Sequence, residues 1–347
     1  MYGSAASEPK DPSEGPARPL SRSSPRYQAR WKKRDQWAAT LEVHLVLRHV
    51  IAGIDDSPQS LAAAHWAARE ATRRGAALCL VHAREWHPRP APTVPADMSE
   101  RALAEELPER AANSMRAAHP GLQVIGQAPA DSPVSALLKA AEQAELLVLG
   151  SRGLGGVAGF VMGSVSQQVV ARASHPVVLV RVGGSTADEH FSAPDGISPD
   201  EIPGIPYRDV VLGLDTGRSC DELIEFAFDA AGRRGSSLRV IHIFSRPPDF
   251  AATDRIVPVS GSELRAEQEL AVAAVLRPWC EKFPEVAVTE SVTEGRAADE
   301  LISASADAAL VVVGRRIRET RLGIHLGPVA YAALHHAPCP VSVVPHA

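Results

Sequence analysis

The sequence repeats itself. Val210-Val211-Leu212-Gly213-Leu214-Asp215 restates Val50-Ile51-Ala52-Gly53-Ile54-Asp55 at an offset of 160 positions, and Arg233-Arg234-Gly235 restates Arg73-Arg74-Gly75 at the same offset. Leu310-Val311-Val312-Val313-Gly314 restates Leu146-Leu147-Val148-Leu149-Gly150, and Pro340-Val341 restates Pro176-Val177, both at an offset of 164, so the second repeat holds a net four extra residues in its middle. At 347 residues the chain is too long for one ordinary core. Self-similarity on this scale means two copies of one folding unit.

Each repeat alternates short apolar runs with helix-patterned segments. Runs that are apolar throughout belong to strands buried on both faces, and regular alternation with helices makes a parallel sheet covered on both sides by right-handed crossovers. In the first repeat the pattern predicts strands at 50–54, 77–83, 122–125, 146–149 and 177–180. It predicts helices at 60–74, about 99–118 and 132–143, and one opening at Gly163-Ser164. Gly75 is the expected stop of the first helix. Residues 1–44 are rich in Pro, Ser and charge and read as a disordered leader with a basic, aromatic end. A first domain over 45–182 follows. The Pro-rich, weakly apolar stretch 183–207 reads as a linker, and 208–347 as the second domain.

The stretch with most chemistry in it is Leu146-Leu147-Val148-Leu149-Gly150-Ser151-Arg152-Gly153, followed nine residues later by Gly163-Ser164-Val165-Ser166. A buried strand releases its chain at glycines, and a helix then opens at Gly163. Glycine lets main-chain N–H groups approach an anion, and the first turn of a helix offers unpaired donors at the positive end of its dipole. Ser164 adds a rotatable hydroxyl, and Arg152 a cation able to pair with phosphate oxygens. Asp55 stands at the carboxyl end of the first strand, where open α/β sheets bind ligands. It either accepts a hydrogen bond from a ribose hydroxyl or adenine amine, or, with Asp56 and Ser57, caps the following helix.

Gly150, two residues, Gly153, nine residues and Gly163-Ser164 resembles the nucleotide-binding signature of the ATP-binding branch of the universal stress protein family. The first strand followed by Asp55-Asp56-Ser57 resembles that family's Asp-Gly-Ser, with Asp56 where Gly is common. The resemblance covers nearly everything after residue 44. It implies an α/β fold of two tandem Rossmann-like domains (adenine nucleotide alpha hydrolase-like), each a five-stranded parallel sheet of order 3-2-1-4-5 with helices on both faces. It implies ATP, with Mg2+, held by Gly53, Asp55, Ala83, Gly150, Arg152, Gly153, Gly163, Ser164, Val165 and Ser166, the backbone at Ala83 meeting the adenine. It implies a regulatory role in which nucleotide occupancy biases contacts with a partner protein. Family members associate through their last strands, so 177–180 and 341–344 are expected to pair within the chain as a pseudo-dimer, or between chains in a homodimer. An interaction scaffold with little nucleotide binding, and a slow ATPase or autophosphorylating protein, are the other readings.

In the second repeat Ile317 stands for Gly153 and Pro328 for Ser164. A β-branched side chain fills space the backbone needs, and proline removes an N–H and a hydroxyl while remaining comfortable in a first helical turn. Two lost charge-assisted hydrogen bonds of about 1.5–3 kcal/mol each would weaken triphosphate binding by roughly two to four powers of ten. The expectation is one competent site, in the first repeat.

Other classes find little support. A net charge of -5 and a pI near 6.2 give no reason to expect nucleic acid. Cys79, Cys220, Cys280 and Cys339 have no CxxC or metal-ligand spacing, and no segment is apolar enough for a signal core or a membrane span, so a reducing cytoplasm is expected. Gly163 is followed by Ser164-Val165 rather than Lys-Ser or Lys-Thr, which excludes a Walker loop. The glycines follow the fourth strand, not the first, which argues against a dinucleotide fold. With no GxSxG elbow, HExxH pair or evident general base, no fast catalysis is expected.

Overall fold

The structure, a computed structural model, describes residues 49–83, 97–151, 162–182, 189–191, 205–218, 220–245, 261–317 and 326–347, with backbone only for 97–105. The leader expected over 1–44, most of the Pro-rich stretch after Ala83, and Arg152 and Gly153 lie outside the described residues.

The first repeat runs β1 (His49–Gly53), α1 (Pro58–Arg74), β2 (Ala77–Val81), α2 (Asp97–Ala118), β3 (Val124–Gln127), α3 (Pro133–Ala141), β4 (Leu146–Ser151), α4 (Ser164–Arg172) and β5 (Val177–Arg181). The second runs β6 (Asp209–Gly213), α5 (Asp221–Arg234), β7 (Leu238–Phe244), α6 (Gly261–Lys282), β8 (Val288–Glu294), α7 (Ala297–Ala304), β9 (Ala308–Arg316), α8 (Pro328–His336) and β10 (Val341–His346). Local chemistry sets the ends. Ser57 accepts a hydrogen bond from the Ser60 N–H and Pro58 fills the first turn, so α1 opens two residues ahead of the expected Ser60. Gly75 (φ 60°) and Gly235 (φ 62°) take the left-handed conformation that stops α1 and α5. β3 starts two residues later than its apolar run suggests, because the Leu122 N–H donates to the His119 carbonyl in the turn leaving α2.

The ten strands among the described residues form one sheet in the order β3-β2-β1-β4-β5-β10-β9-β6-β7-β8. Every neighbouring pair is parallel except the central one. There β5 and β10 run antiparallel, with Leu179 opposite Val341, Val178 opposite Ser342 and Val177 opposite Val343. An apolar edge strand is a liability in water, and each repeat covers the other's. The seam is also tied by arginines reaching helix ends across it: Arg181 donates to the Leu334 carbonyl near the end of α8, and Arg315 to the Ala173 carbonyl just past α4.

Each face of the sheet carries one apolar core that continues through both repeats. Residues of α1, α2, α5 and α6 pack on one face around Trp66, Phe228 and Leu276. Residues of α3, α4, α7 and α8 pack on the other around Leu137, Val169 and Leu301. Alanines at 63, 64, 67, 68 and 71 let α1 lie close on the sheet.

On the first face α1 meets α5 through an ionic cluster. Glu70 receives Arg234 at 2.8 Å, Arg74 at 2.8 Å and Arg73 at 3.1 Å. The stretch read as a linker joins this cluster. Glu189 receives Arg69 at 2.6 Å and Arg73 at 2.8 Å, while His190 forms an antiparallel bridge with Tyr207, whose hydroxyl accepts from Arg73.

Candidate functional site

The pairing register aligns three strand ends. Gly53 lies opposite Val81, and Ala52 opposite Val148, so the chains carrying Asp55, Ala83 and Ser151 leave the same carboxyl edge of the sheet. Two helices start there. A Cβ added to Gly150 would stand 2.6 Å from the backbone carbonyl of Gln59, so the first turn of α1 rests directly on β4 at this glycine. The Ser166 hydroxyl donates to the Gly150 carbonyl at 3.3 Å, which draws the first turn of α4 to the same place. Gly150, Asp55, Ala83 and the start of α4 therefore gather at one end of the first repeat.

The two helix starts differ in how their donors are used. At α1, the Ser57 side chain accepts from the Ser60 N–H, and the Asp55 carboxylate accepts from both the N–H and the hydroxyl of Ser57. Asp55 thus closes the turn into the helix, and Asp56 within that turn sits at φ 63°, the left-handed conformation glycine adopts without strain. At α4, the N-cap is Gly163, which has no side chain of its own to cap the helix. The first backbone bond within the helix runs from the Gln167 N–H to the Gly163 carbonyl at 2.9 Å, so the N–H groups of Ser164, Val165 and Ser166 precede the ladder. Among the described residues, a Cβ on Gly163 would meet no atom within 4 Å, and Ser164 is exposed.

Not every glycine of the motif has the same physical cause. Gly53 makes room for neighbouring side chains, since a Cβ there would lie 2.7 Å from Leu149 and 3.0 Å from Leu137. Gly150 admits a helix backbone, whereas Gly163 has no described atom near its Cβ position. A pair of histidines went unused in reading the sequence. His82 Nδ1 lies 2.9 Å from the Ile54 carbonyl, and His242 Nδ1 lies 3.0 Å from the Leu214 carbonyl, each clamping its second strand's end to the first's. Their signal was the offset of 160 that also relates the strands beside them. Burial pushes the thiols of Cys79 and Cys339 up to about 12 and that of Cys220 up to about 11, leaving all three unreactive.

The second repeat keeps the turn and alters the helix start. Asp215 accepts from the Gly217 N–H at 3.0 Å, as Asp55 does from Ser57. At α8, Gly327 is the N-cap, but Pro328 follows it without an N–H, and the first backbone bond comes from Tyr331. Only Val329 and Ala330 retain N–H groups ahead of the ladder. Ile317 projects into solvent at 54% exposure, and the His346 ring lies against Gly314. A cavity of about 550 Å³ remains at this end of the repeat, between Leu214, Leu301, Val313 and Val329.

The family model described as the universal stress protein family matches residues 47–181 and again 206–345. The chain belongs to the universal stress protein family. The universal stress protein Rv2005c of Mycobacterium tuberculosis is 32% identical over 305 residues, covering 85% of this chain and 96% of its own. The crystal structure of a universal stress protein from Archaeoglobus fulgidus superposes with a TM-score of 0.60 at 18% identity, covering 86% of this chain and 98% of its own, a likeness of fold. A universal stress protein crystallised in complex with cAMP is 26% identical, covering 40% of this chain and 98% of its own with a TM-score of 0.31. Among the described residues of this tandem family member, no helix is long and apolar enough to cross a membrane, and no three His, Cys, Asp or Glu side chains gather as for a metal ion.

Proposed function

We propose that this universal stress protein binds ATP, with Mg2+, at the carboxyl edge of its first repeat, and that occupancy regulates its contacts with a partner protein in the cytoplasm. The observation that carries this reading is the start of α4: a helix N-terminus whose N-cap is a glycine with, among the described residues, no atom near its Cβ position, with three N–H groups ahead of its ladder, held over the end of β4 by the Ser166–Gly150 hydrogen bond. A phosphate chain is the ligand such a terminus suits. The N–H groups of Ser164, Val165 and Ser166 and the Ser164 hydroxyl would take the phosphates, with Gly150, Arg152, Gly153 and Gly163 forming the rest of the cradle. Asp55, Gly53 and Ala83 would line the nucleoside end. Mg2+ is bound through phosphate oxygens, water and at most one or two carboxylates, which fits a site whose nearby exposed acids are Asp55 and Asp56.

The second repeat, with one N–H fewer at α8 and no hydroxyl at Pro328, is proposed not to bind the triphosphate. The proposed domains are 45–182 and 208–347, joined by 183–207. Equilibrium dialysis with labelled ATP tests the reading. Wild type binds and Gly163→Val does not; absence of binding in both would leave the interaction scaffold, and equal binding in both would refute the site.

A further inference from the structure

We infer that the cavity of the second repeat is a binding site for a small acid with an apolar body, chemically distinct from the nucleotide site proposed for the first repeat. The cavity holds about 550 Å³, the volume of an ordinary small-molecule site. Part of its wall is aliphatic, formed by Leu214, Ile241, Ile243, Leu301 and Val329. That part of the wall rewards the removal of apolar surface from water.

Among the described residues, two arginines line the cavity. Arg316, at the end of β9, lines it, and its Nε is buried with no hydrogen-bond partner; among the described residues its side chain makes no ion pair either. A buried guanidinium atom without a partner is costly, and an anionic oxygen in the cavity would satisfy it. Arg218 and His346 also line it, while the single lining carboxylate among the described residues, Asp215, is held by the Gly217 turn. Among the described lining residues cations outnumber the carboxylate, which favours an anionic ligand. The helix start beside them has been thinned to two N–H groups by Pro328, so the recognition of charge has moved from a backbone cradle to a side chain. Arg316 holds the carboxylate and the aliphatic wall takes the body.

Isothermal titration with octanoate tests this, using the full chain carrying Gly163→Val so that the first repeat does not contribute. The expected result is one octanoate per chain, affinity lowered about ten- to a hundredfold by Arg316→Gln, and octanol binding more weakly than octanoate by a similar factor. Val329→Trp, placed at the cavity wall, abolishes binding; circular dichroism checks its fold, and Arg316→Gln carries the test alone if that variant unfolds. No octanoate binding, binding unchanged by Arg316→Gln, or octanol binding as well as octanoate would overturn the inference. ATP binding by the otherwise wild-type chain is read separately, so failure at one site is distinguishable from failure at the other.

Discussion

Glu70 and Arg234 meet at 2.8 Å with both side chains out of solvent, at 1% and 0% exposure, and they belong to different repeats. Burial by itself would raise the Glu70 carboxyl, but Arg234, Arg74 and Arg73 outweigh it and hold it down to about 2. A charge so placed is costly to strand. Glu70→Ala strips the buried Arg234 of its ion-pair partner in the interface between α1 and α5 and should destabilise the chain by about 3–5 kcal/mol, read from urea denaturation.

The same carboxylate sets an acid limit. Its folded pKa lies below its unfolded value, so its contribution is fully present above the unfolded value near 4.5 and is lost as pH falls toward about 2. Glu189, buried but held low by Arg69 and Arg73, titrates in the same direction. Thermal midpoints measured from pH 6 downward should fall steeply below about pH 4.5, and Glu70→Gln should flatten that fall. An unchanged pH profile in Glu70→Gln would remove the cluster from the acid response.

Gly163 and Gly150 should separate binding from folding. A side chain at Gly163 meets no described atom, so Gly163→Val should lose no more than the roughly 1 kcal/mol of a poorer N-cap while nucleotide binding is lost. A Cβ at Gly150 meets the Gln59 carbonyl at 2.6 Å, so Gly150→Ala should cost about 1–3 kcal/mol of stability. Loss of binding in the Gly150 variant alone would say nothing about the ligand.

Much of the architecture could be read from four-residue apolar runs such as 146–149 and from the offsets of 160 and 164, because buried strands and duplicated turns leave local signatures. The candidate site was half legible. Gly150, Gly153 and Gly163 look alike in the sequence, yet Gly150 serves the approach of α1 and Gly163 has no described atom near its Cβ position, a distinction that depends on a residue 91 positions away, Gln59. The ionic cluster was less visible still. Arg73-Arg74 and Arg233-Arg234 read as helix-ending cations, and their partner Glu70 is separated from Arg234 by 164 residues, so only the closed sheet brings them together. The linker's proline content obscured Glu189 and Tyr207, which dock on α1.

Asp56 offers a test of backbone strain. At φ 63° it occupies a conformation that glycine takes freely, so Asp56→Gly should be neutral to stabilising by up to about 1 kcal/mol, whereas Asp56→Val should destabilise. The urea midpoint distinguishes them, and a loss of stability in Asp56→Gly would mean that the carboxylate contributes a contact of its own.

Calorimetric titration of the full chain with magnesium-ATP bears most directly on the central claim, that one helix start grips a triphosphate and its duplicate has lost that grip. The account predicts one nucleotide per chain, abolished by Gly163→Val and retained in Val329→Trp. Two equivalent sites, or binding that survives Gly163→Val and disappears with Val329→Trp, would contradict it.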